Sequence, residues 1–376
     1  MKLKLKHTPE QVELIKAIGS KNKSVSQEAQ EAFAAFIGPI VQKVIQQAST
    51  AGMIYADAEY DEDDSPSYPL DLYYNEGEGY VNVWSQTMAG GLPTSLVEGV
   101  KEMKISTYRL DSAVSFLKKY ARKSRLDVVS KALERMSQEV LVKQERNAWA
   151  VILTALAKAS TSHVNDAGNP TDSHIVQGDI SDGLTLENLN SLMILMRRIN
   201  QSWAGGTASN HDSFGVTDLF VSPEQKGKIR RMAYNPLSTD SKPQGTQALP
   251  DGVKEDIYRA AGASEIFGIR ITDMTELGVG RKYNKLFEEM ASGINLSGGS
   301  SFDDSSSHEL AIGLDLSKEA FVRAVARQAD SGGTFSVLPD DQFVARSDKT
   351  GFYGFLEEGR VCIDARAISG IVFGTA

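Results

Sequence analysis

A chain of 376 residues with 41% hydrophobic and 24% charged residues has the make-up of an ordinary folded protein, built as two or three domains or one elaborated one. A net charge of −9 gives no support to nucleic-acid binding as its main task, and one cysteine, Cys362, excludes an intrachain disulfide and a zinc-thiolate site. The start, MKLKLKHTPEQ, has lysines with no apolar run behind them, and the longest apolar stretch, Ala148 to Ala157, is about half a membrane span, so a soluble intracellular product is expected.

Residues 1–50 read as an arm with helical pieces. Thr8-Pro9 is a cap and first-turn pair for a short helix from Glu10 to Ile18. From Ser26 to Gln47, apolar residues at steps of three and four predict a second helix, with Gly38-Pro39 expected to kink or split it. Lys2, Lys4 and Lys6 are read as an ordinary solvated terminus.

Charge then becomes one-sided. The 57 residues from Val44 to Val100 contain no Lys or Arg and ten acids, six of them (Asp57, Glu59, Asp61, Glu62, Asp63 and Asp64) within eight positions. Outside this window the chain has 40 bases and 39 acids, so the whole net negative charge sits here. Pro66, Pro69, Gly77 and Gly79 punctuate the stretch, and Tyr80 to Thr87 has the β-branched and aromatic texture of a strand. Such a hairpin is too polar to pack on itself and must lie on something.

No Gly or Pro occurs from Val100 to Ala167. Met103 to Arg109 and Ala113 to Tyr120 read as strands. From Ser124, Leu126, Val129, Leu133, Met136 and Val140 align on one helical face; polar Lys143 to Arg146 interrupts the stripe before Trp149, Ile152 and Leu156 resume it. Unbroken to Ala159, this helix is about 50 Å long. Beyond a polar loop come a helix (Leu186 to Ile199), a strand (Val216 to Val221) and a Ser222-Pro223 helix start running to Met232. Val253 to Ala261 reads as helix and Glu265 to Thr272 as strand, with loops at Asn235 to Gly252 and Ser292 to Ser307. The end returns to strands: His308 to Leu316, Phe335 to Ala345, Gly351 to Leu356, Arg360 to Ile368 and Gly370 to Phe373.

No catalytic or metal pattern emerges. An EF-hand begun at Asp61 puts Pro66 at position 6 and Leu72 at position 12, where Gly and Glu are required, so a solvated acidic loop is the preferred reading over a cation site. The five histidines lack ligand spacing, Gly278-Val279-Gly280 continues to Tyr283 rather than to a phosphate loop, and Cys362 sits in an apolar strand pattern. The expectation is a protein that is not an enzyme and holds no cofactor.

Four stretches, in order, carry a family resemblance. They are the acidic hairpin Ile54 to Pro93, the helix "SRLDVVSKALERMSQEVLVKQERNAWAVILTAL", the step "DLFVSPEQKGKIRRM" and the ending "GFYGFLEEGRVCIDARAISGIVF". Together they resemble the major capsid proteins of tailed bacteriophages, the Hong Kong 97-type shell fold. The resemblance implies an α+β chain with an N-terminal arm (1–50) and an extended β-hairpin loop (51–97). A peripheral domain with a long spine helix (98–180), a mixed axial domain (181–330) and peripheral C-terminal strands (331–376) follow. It further implies self-assembly through pentamers and hexamers into an icosahedral head enclosing double-stranded DNA, contacted non-specifically. Scaffolding, portal and cement or decoration proteins are the implied partners, and the virion, assembled in the host cytoplasm, is the implied location, with no membrane. Some members cross-link their shells through a loop lysine; residues 51–97 contain none, so that chemistry is not expected.

The acidic loop, Asp57, Glu59, Asp61, Glu62, Asp63 and Asp64, is expected to meet a basic face on a neighbouring subunit. "LKKYARKSR", with Lys118, Lys119, Arg122, Lys123 and Arg125, is the candidate, against the alternative of a solvated face paired within its own chain. Two other readings stand beside the phage head: an encapsulin-like nanocompartment shell, and an α/β metal-dependent enzyme or ligand-binding protein with an acidic lid.

Overall fold

The computed structural model describes residues 9–48, 50–61, 65–69, 102–123, 126–162, 174–178, 183–203, 215–234, 265–291, 301–317, 319–327, 334–340 and 349–374. It is a mixed helix and sheet protein in two compact units whose chain segments alternate. Unit 1 takes residues 1–68, 103–148 and 321–361; unit 2 takes 69–102, 149–320 and 362–376.

Unit 1 is a five-stranded sheet covered by helices. Its strands are β1 (Ala56–Asp61), β4 (Thr107–Leu117), β10 (Phe321–Arg327), β11 (Ser336–Asp340) and β12 (Lys349–Cys362). The 14-residue β12 organises the sheet: β11 runs antiparallel to its first half, and β4 runs antiparallel to it from Lys349↔Leu117 to Gly359↔Thr107. β1 joins by pairing parallel to β10 and forms an edge. Residues 351–356 and 360–368, expected as separate strands, are therefore mostly one strand, because β4 continues the ladder through Gly359. β10, which the sequence reading did not mark, lies inside the sheet with Val322, Ala324, Val325 and Ala326 all buried.

Helices α1 (Pro9–Ile18), α2 (Lys23–Ala48) and the first part of α5 (Leu126–Ser162) supply the other half of this core. Ile15, Ile18, Phe33 and Ile37 meet Val129, Leu133, Met136 and Val140 of α5, with Phe116, Phe352 and Leu356 from the sheet. The expected break at Gly38-Pro39 does not end α2, which continues to Ala48. A single proline removes one backbone hydrogen bond, and the anchoring of Ala29, Phe33, Ala34 and Ile37 in the core outweighs it. The turn between α1 and α2 needs Gly19, since a Cβ there would lie 2.7 Å from the backbone nitrogen of Arg122. Polar links fix the same corner: Ser26 Oγ donates to Ile18 O at 2.7 Å and Gln30 Nε2 to Thr350 Oγ1 at 2.9 Å.

Outside the two larger sheets, β2 (Ser67–Pro69) pairs with β3 (Glu102–Lys104), so the ends of the intervening segment close on a short ribbon.

Unit 2 is built on a six-stranded sheet ordered β5-β13-β9-β6-β8-β7. Its strands are β5 (Ile175–Gln177), β6 (Asp218–Val221), β7 (Glu265–Ile266), β8 (Ile269–Asp273), β9 (His308–Leu314) and β13 (Ile368–Gly374). Every residue of β6, β9 and β13 is buried, as in a sheet covered on both faces. α6 (Leu186–Trp203) places Leu189 and Leu192 in the core beside β13, and the second part of α5 contributes Trp149, whose ring meets Phe220 edge-on at 4.9 Å. The Ser222-Pro223 step opens α7 (Pro223–Tyr234) as expected, and its chemistry is specific. Ser222 Oγ accepts from Gln225 N at 3.3 Å and donates to the buried Glu309 at 2.9 Å, and Gln225 Nε2 donates to the same carboxylate at 2.9 Å. α8 (Lys282–Met290) completes the unit. The helix expected over 253–261 and the strand over 80–87 lie outside the described residues.

Phe352 is 1% exposed, with Phe33 and Phe116 rings at 5.4 and 6.1 Å. Phe352→Ala is expected to destabilise unit 1 by about 3–5 kcal/mol, read as a lowered midpoint in urea unfolding followed by circular dichroism.

Candidate functional site

The acids come first because they hold the chain's charge imbalance. Asp57, Glu59 and Asp61 alternate along β1, so all three project from one face of an edge strand, and all are exposed. Opposite them in the parallel register stand Arg323, Val325 and Arg327 of β10. Asp57 is partly neutralised within its own chain, 3.3 Å from Arg323 Nη1. Glu59 and Asp61 have no salt bridge among the described residues. Glu62, Asp63 and Asp64 lie outside the described residues.

The bases separate into different environments. The strand expected to run from Ala113 to Tyr120 ends at Leu117, which pairs with Lys349, the first described residue of β12. Lys118 to Arg122, without a β-branched residue, turns into a short helix, α4 (Lys118–Arg122). Lys118 is buried, at 6% exposure. Arg122 Nε donates to Gly19 O at 2.8 Å, holding the α1–α2 turn. Lys119 is exposed with its ammonium 5.2 Å from the ring of Tyr120, and Lys123 is exposed at the helix end. Arg125 lies outside the described residues. Among the described residues, none of Asp57, Glu59 and Asp61 pairs with Lys118, Lys119, Arg122 or Lys123.

A different polar cluster, which the sequence reading did not single out, occupies the interior of unit 1. Glu358 is fully buried on β12. It accepts hydrogen bonds from Tyr108 Oη of β4 at 2.7 Å, Gln144 Nε2 of α5 at 3.0 Å and Arg323 Nε of β10 at 2.8 Å, with Arg360 Nη2 at 3.3 Å. Arg323 carries the network on to Asp57 of β1. Arg360 lies over the Tyr55 ring at 5.1 Å, and its Nε and Nη1 find no acceptor among the described residues, so Glu358 is what balances its charge. The polar interruption of the α5 stripe is thereby explained: Gln144 serves this carboxylate, and Glu145 accepts from the backbone nitrogen and hydroxyl of Thr50, capping α3 (Ala51–Ile54). A signal was available in the alternation Phe352, Leu356, Glu358, which places the acid on the inward face of the strand.

Burial alone would raise the Glu358 carboxyl, but the charges of Arg360 and Arg323 and the hydrogen bonds donated by Tyr108 and Arg323 outweigh it and hold it below the ordinary carboxylate range. Burial, and then the Glu358 charge, pushes the Tyr108 phenol far upward, so it stays a donor. In unit 2, burial and the neighbouring Asp364 push the Cys362 thiol up to about 12, which keeps it protonated and poorly nucleophilic at neutral pH. Among the described residues, no three His, Cys, Asp or Glu side chains gather as a metal site, and no helix is long and apolar enough to cross a membrane.

No family model matches the sequence, and no curated protein matches it. Among solved structures, the chain is similar to one from Microbacterium phage Oxtober96, with 12% identity over 87% of this chain and 91% of that one, at a TM-score of 0.48. It is also similar to the capsid of the cyanophage P-SCSP1u, with 13% identity over 86% of each chain and a TM-score of 0.49. A third similar structure is the capsid of an empty GTA particle, with 13% identity over 87% of this chain and 90% of that one, at a TM-score of 0.48.

Glu358→Gln keeps the shape and removes the charge, leaving Arg360 buried without its counter-ion and Arg323 with Asp57 alone. The loss expected at neutral pH is about 3–5 kcal/mol, seen in thermal unfolding. Because the folded-state carboxyl is depressed, its contribution is complete above the unfolded value and disappears as pH falls through the folded one. The Tm gap between parent and variant should stay constant above about pH 5 and close below about pH 4.

Proposed function

We propose that this chain is the major capsid protein of a tailed bacteriophage, self-assembling through pentamers and hexamers into an icosahedral head around double-stranded DNA. The observation that carries the reading is the order in which the chain contributes to its two units. Unit 1 receives the N-terminal residues and the first part of one 37-residue helix, then nothing until residue 321, when the closing strands return to it. Unit 2 takes residues 69–102, the long insertion 149–320, and residues 362–376 with strand β13. The return of residues 321–361 to unit 1 after the 149–320 insertion supports the peripheral, axial, peripheral order that the resemblance implies, although residues 362–376, expected with the peripheral strands, belong to unit 2.

The charge distribution supports the same reading. A stretch of 57 residues with ten acids and no base cannot neutralise itself locally, and a second copy supplies the missing cations. Lys118 is buried; of the exposed described bases in the 118–125 segment, Arg122 donates its Nε to Gly19 O, and Lys119 and Lys123 are the ones we assign to a neighbour's acids. The role is structural, and its place is the virion. Scaffolding, portal and decoration proteins and non-specifically held DNA are the further partners in this reading.

The test is sucrose-gradient sedimentation of the full chain, alone and with its phage's scaffolding protein, with electron microscopy of each fraction. Rings or closed shells are the expected result; a chain that stays monomeric in both conditions overturns the reading. The double charge reversal Lys119→Glu, Lys123→Glu should cut shell yield by about tenfold or more while Tm stays within ~2 °C, because exposed pairs contribute only about 0–1 kcal/mol each to the fold. Normal shells from that variant would remove this contact from the proposal.

A further inference from the structure

β7 and β8 form a tight hairpin in which Ile266 pairs with Ile269, so Phe267 and Gly268 make the entire turn. Both have positive φ, +52° and +80°, as a type I′ turn requires at its two central positions. Glycine suits the second. The first is normally Asn, Asp or Gly, because a larger side chain crowds its own carbonyl in left-handed backbone. Among the described residues, only Phe267 and Ser307 are non-glycine with positive φ, and Ser307 is a small residue closing a 3₁₀ turn. An aromatic ring at this position is the more costly of the two.

The ring carries a second cost. It is 42% exposed, and among the described residues no other ring or cation covers it. β7 is an edge of the six-stranded sheet, so the turn stands at the sheet margin. Its flanks add no cation for a nucleic acid: Glu265 is an acid, and Arg270 is held by the Asp218 carboxylate at 2.5 Å. A left-handed turn fills its first position most easily with a small polar residue, and this one holds a solvent-exposed benzyl group instead. Among the described residues, the apolar core of unit 2 does not include it.

We infer that Phe267 is an anchor that enters an apolar socket on a second copy of this chain. The inference rests on the self-assembly reading, in which a margin feature of each subunit meets the same chain at every repeat. It adds the residue and the chemistry of one contact. A protruding ring and a receiving cleft on different surfaces make a head-to-tail contact, the type that builds rings, and buried aromatic anchors dominate such interfaces.

Phe267→Asn separates the two costs from the benefit, because it installs the Asn-Gly pair this turn prefers. The variant's dissociated chain should unfold at a Tm equal to the parent's or about 1–3 °C higher. Its yield of rings or shells, measured by sedimentation with electron microscopy, should fall by about tenfold or more. Phe267→Leu, which keeps an apolar knob, should retain an intermediate yield. If the Asn variant assembles like the parent, the anchor is wrong while the capsid reading stands. A clear drop in Tm would show that the ring packs within its own chain and would also overturn the anchor. A parent chain that never self-associates, with or without scaffolding protein, removes the capsid reading and the anchor together.

Discussion

One buried carboxylate holds unit 1 in register. Glu358 takes donors from β4, α5 and β12 and from Arg323 of β10, and Arg323 reaches on to β1. Hydrophobic packing alone would let α5 slide or rotate on the sheet by a turn at modest cost. A fully desolvated acid with two guanidinium partners does not allow that, because any other register leaves charges buried without partners. The node therefore specifies one arrangement of sheet and helix more than it adds stability. It also fixes β1, the strand that carries three of the exposed acids, by pairing Asp57 with Arg323 and leaving Glu59 and Asp61 turned to solvent.

How much of this was legible depended on sequence distance. The α5 stripe and the Ser-Pro entry to α7 are written in residues three or four apart, and both were read correctly. The purpose of Lys143 to Arg146 was not, since the partner of Gln144 is 214 residues away. β12 looked like two strands because Gly359 resembles a turn residue. Its continuity is imposed by β4, which no local pattern announces. β10 escaped notice because it is buried throughout most of its length and so lacks the alternation of a half-exposed strand. Of the basic candidates, Lys118 and Arg122 are indistinguishable from Lys119 and Lys123 in sequence. Only tertiary packing buries Lys118 and brings the Arg122 guanidinium to Gly19 O while Lys119 and Lys123 stay exposed.

The two halves of the proposal draw on different physics. Acid against base is long-ranged and sets approach and orientation, with little strength per pair at physiological salt. An aromatic knob entering a cleft is short-ranged and gains mainly by excluding water. A chain that builds a large closed object needs contacts that form reversibly until the geometry is right, and a combination of weak steering with a few apolar anchors has that character.

The alternation of the two units along the chain also has a consequence for synthesis. Unit 1 lacks β10, β11 and β12 until residues past 321 have been made, and the sheet of unit 2 lacks β13, which lies between β5 and β9, until residues 368–374 have been made. Neither sheet can close on the ribosome from its own early strands, and both wait for strands contributed by residues 321–374. Such long-range closure slows folding and exposes unpaired strands meanwhile. It also acts as a proofreading step: a chain that stops before residue 321 has neither sheet finished, so it cannot enter a growing particle as a well-formed but defective tile.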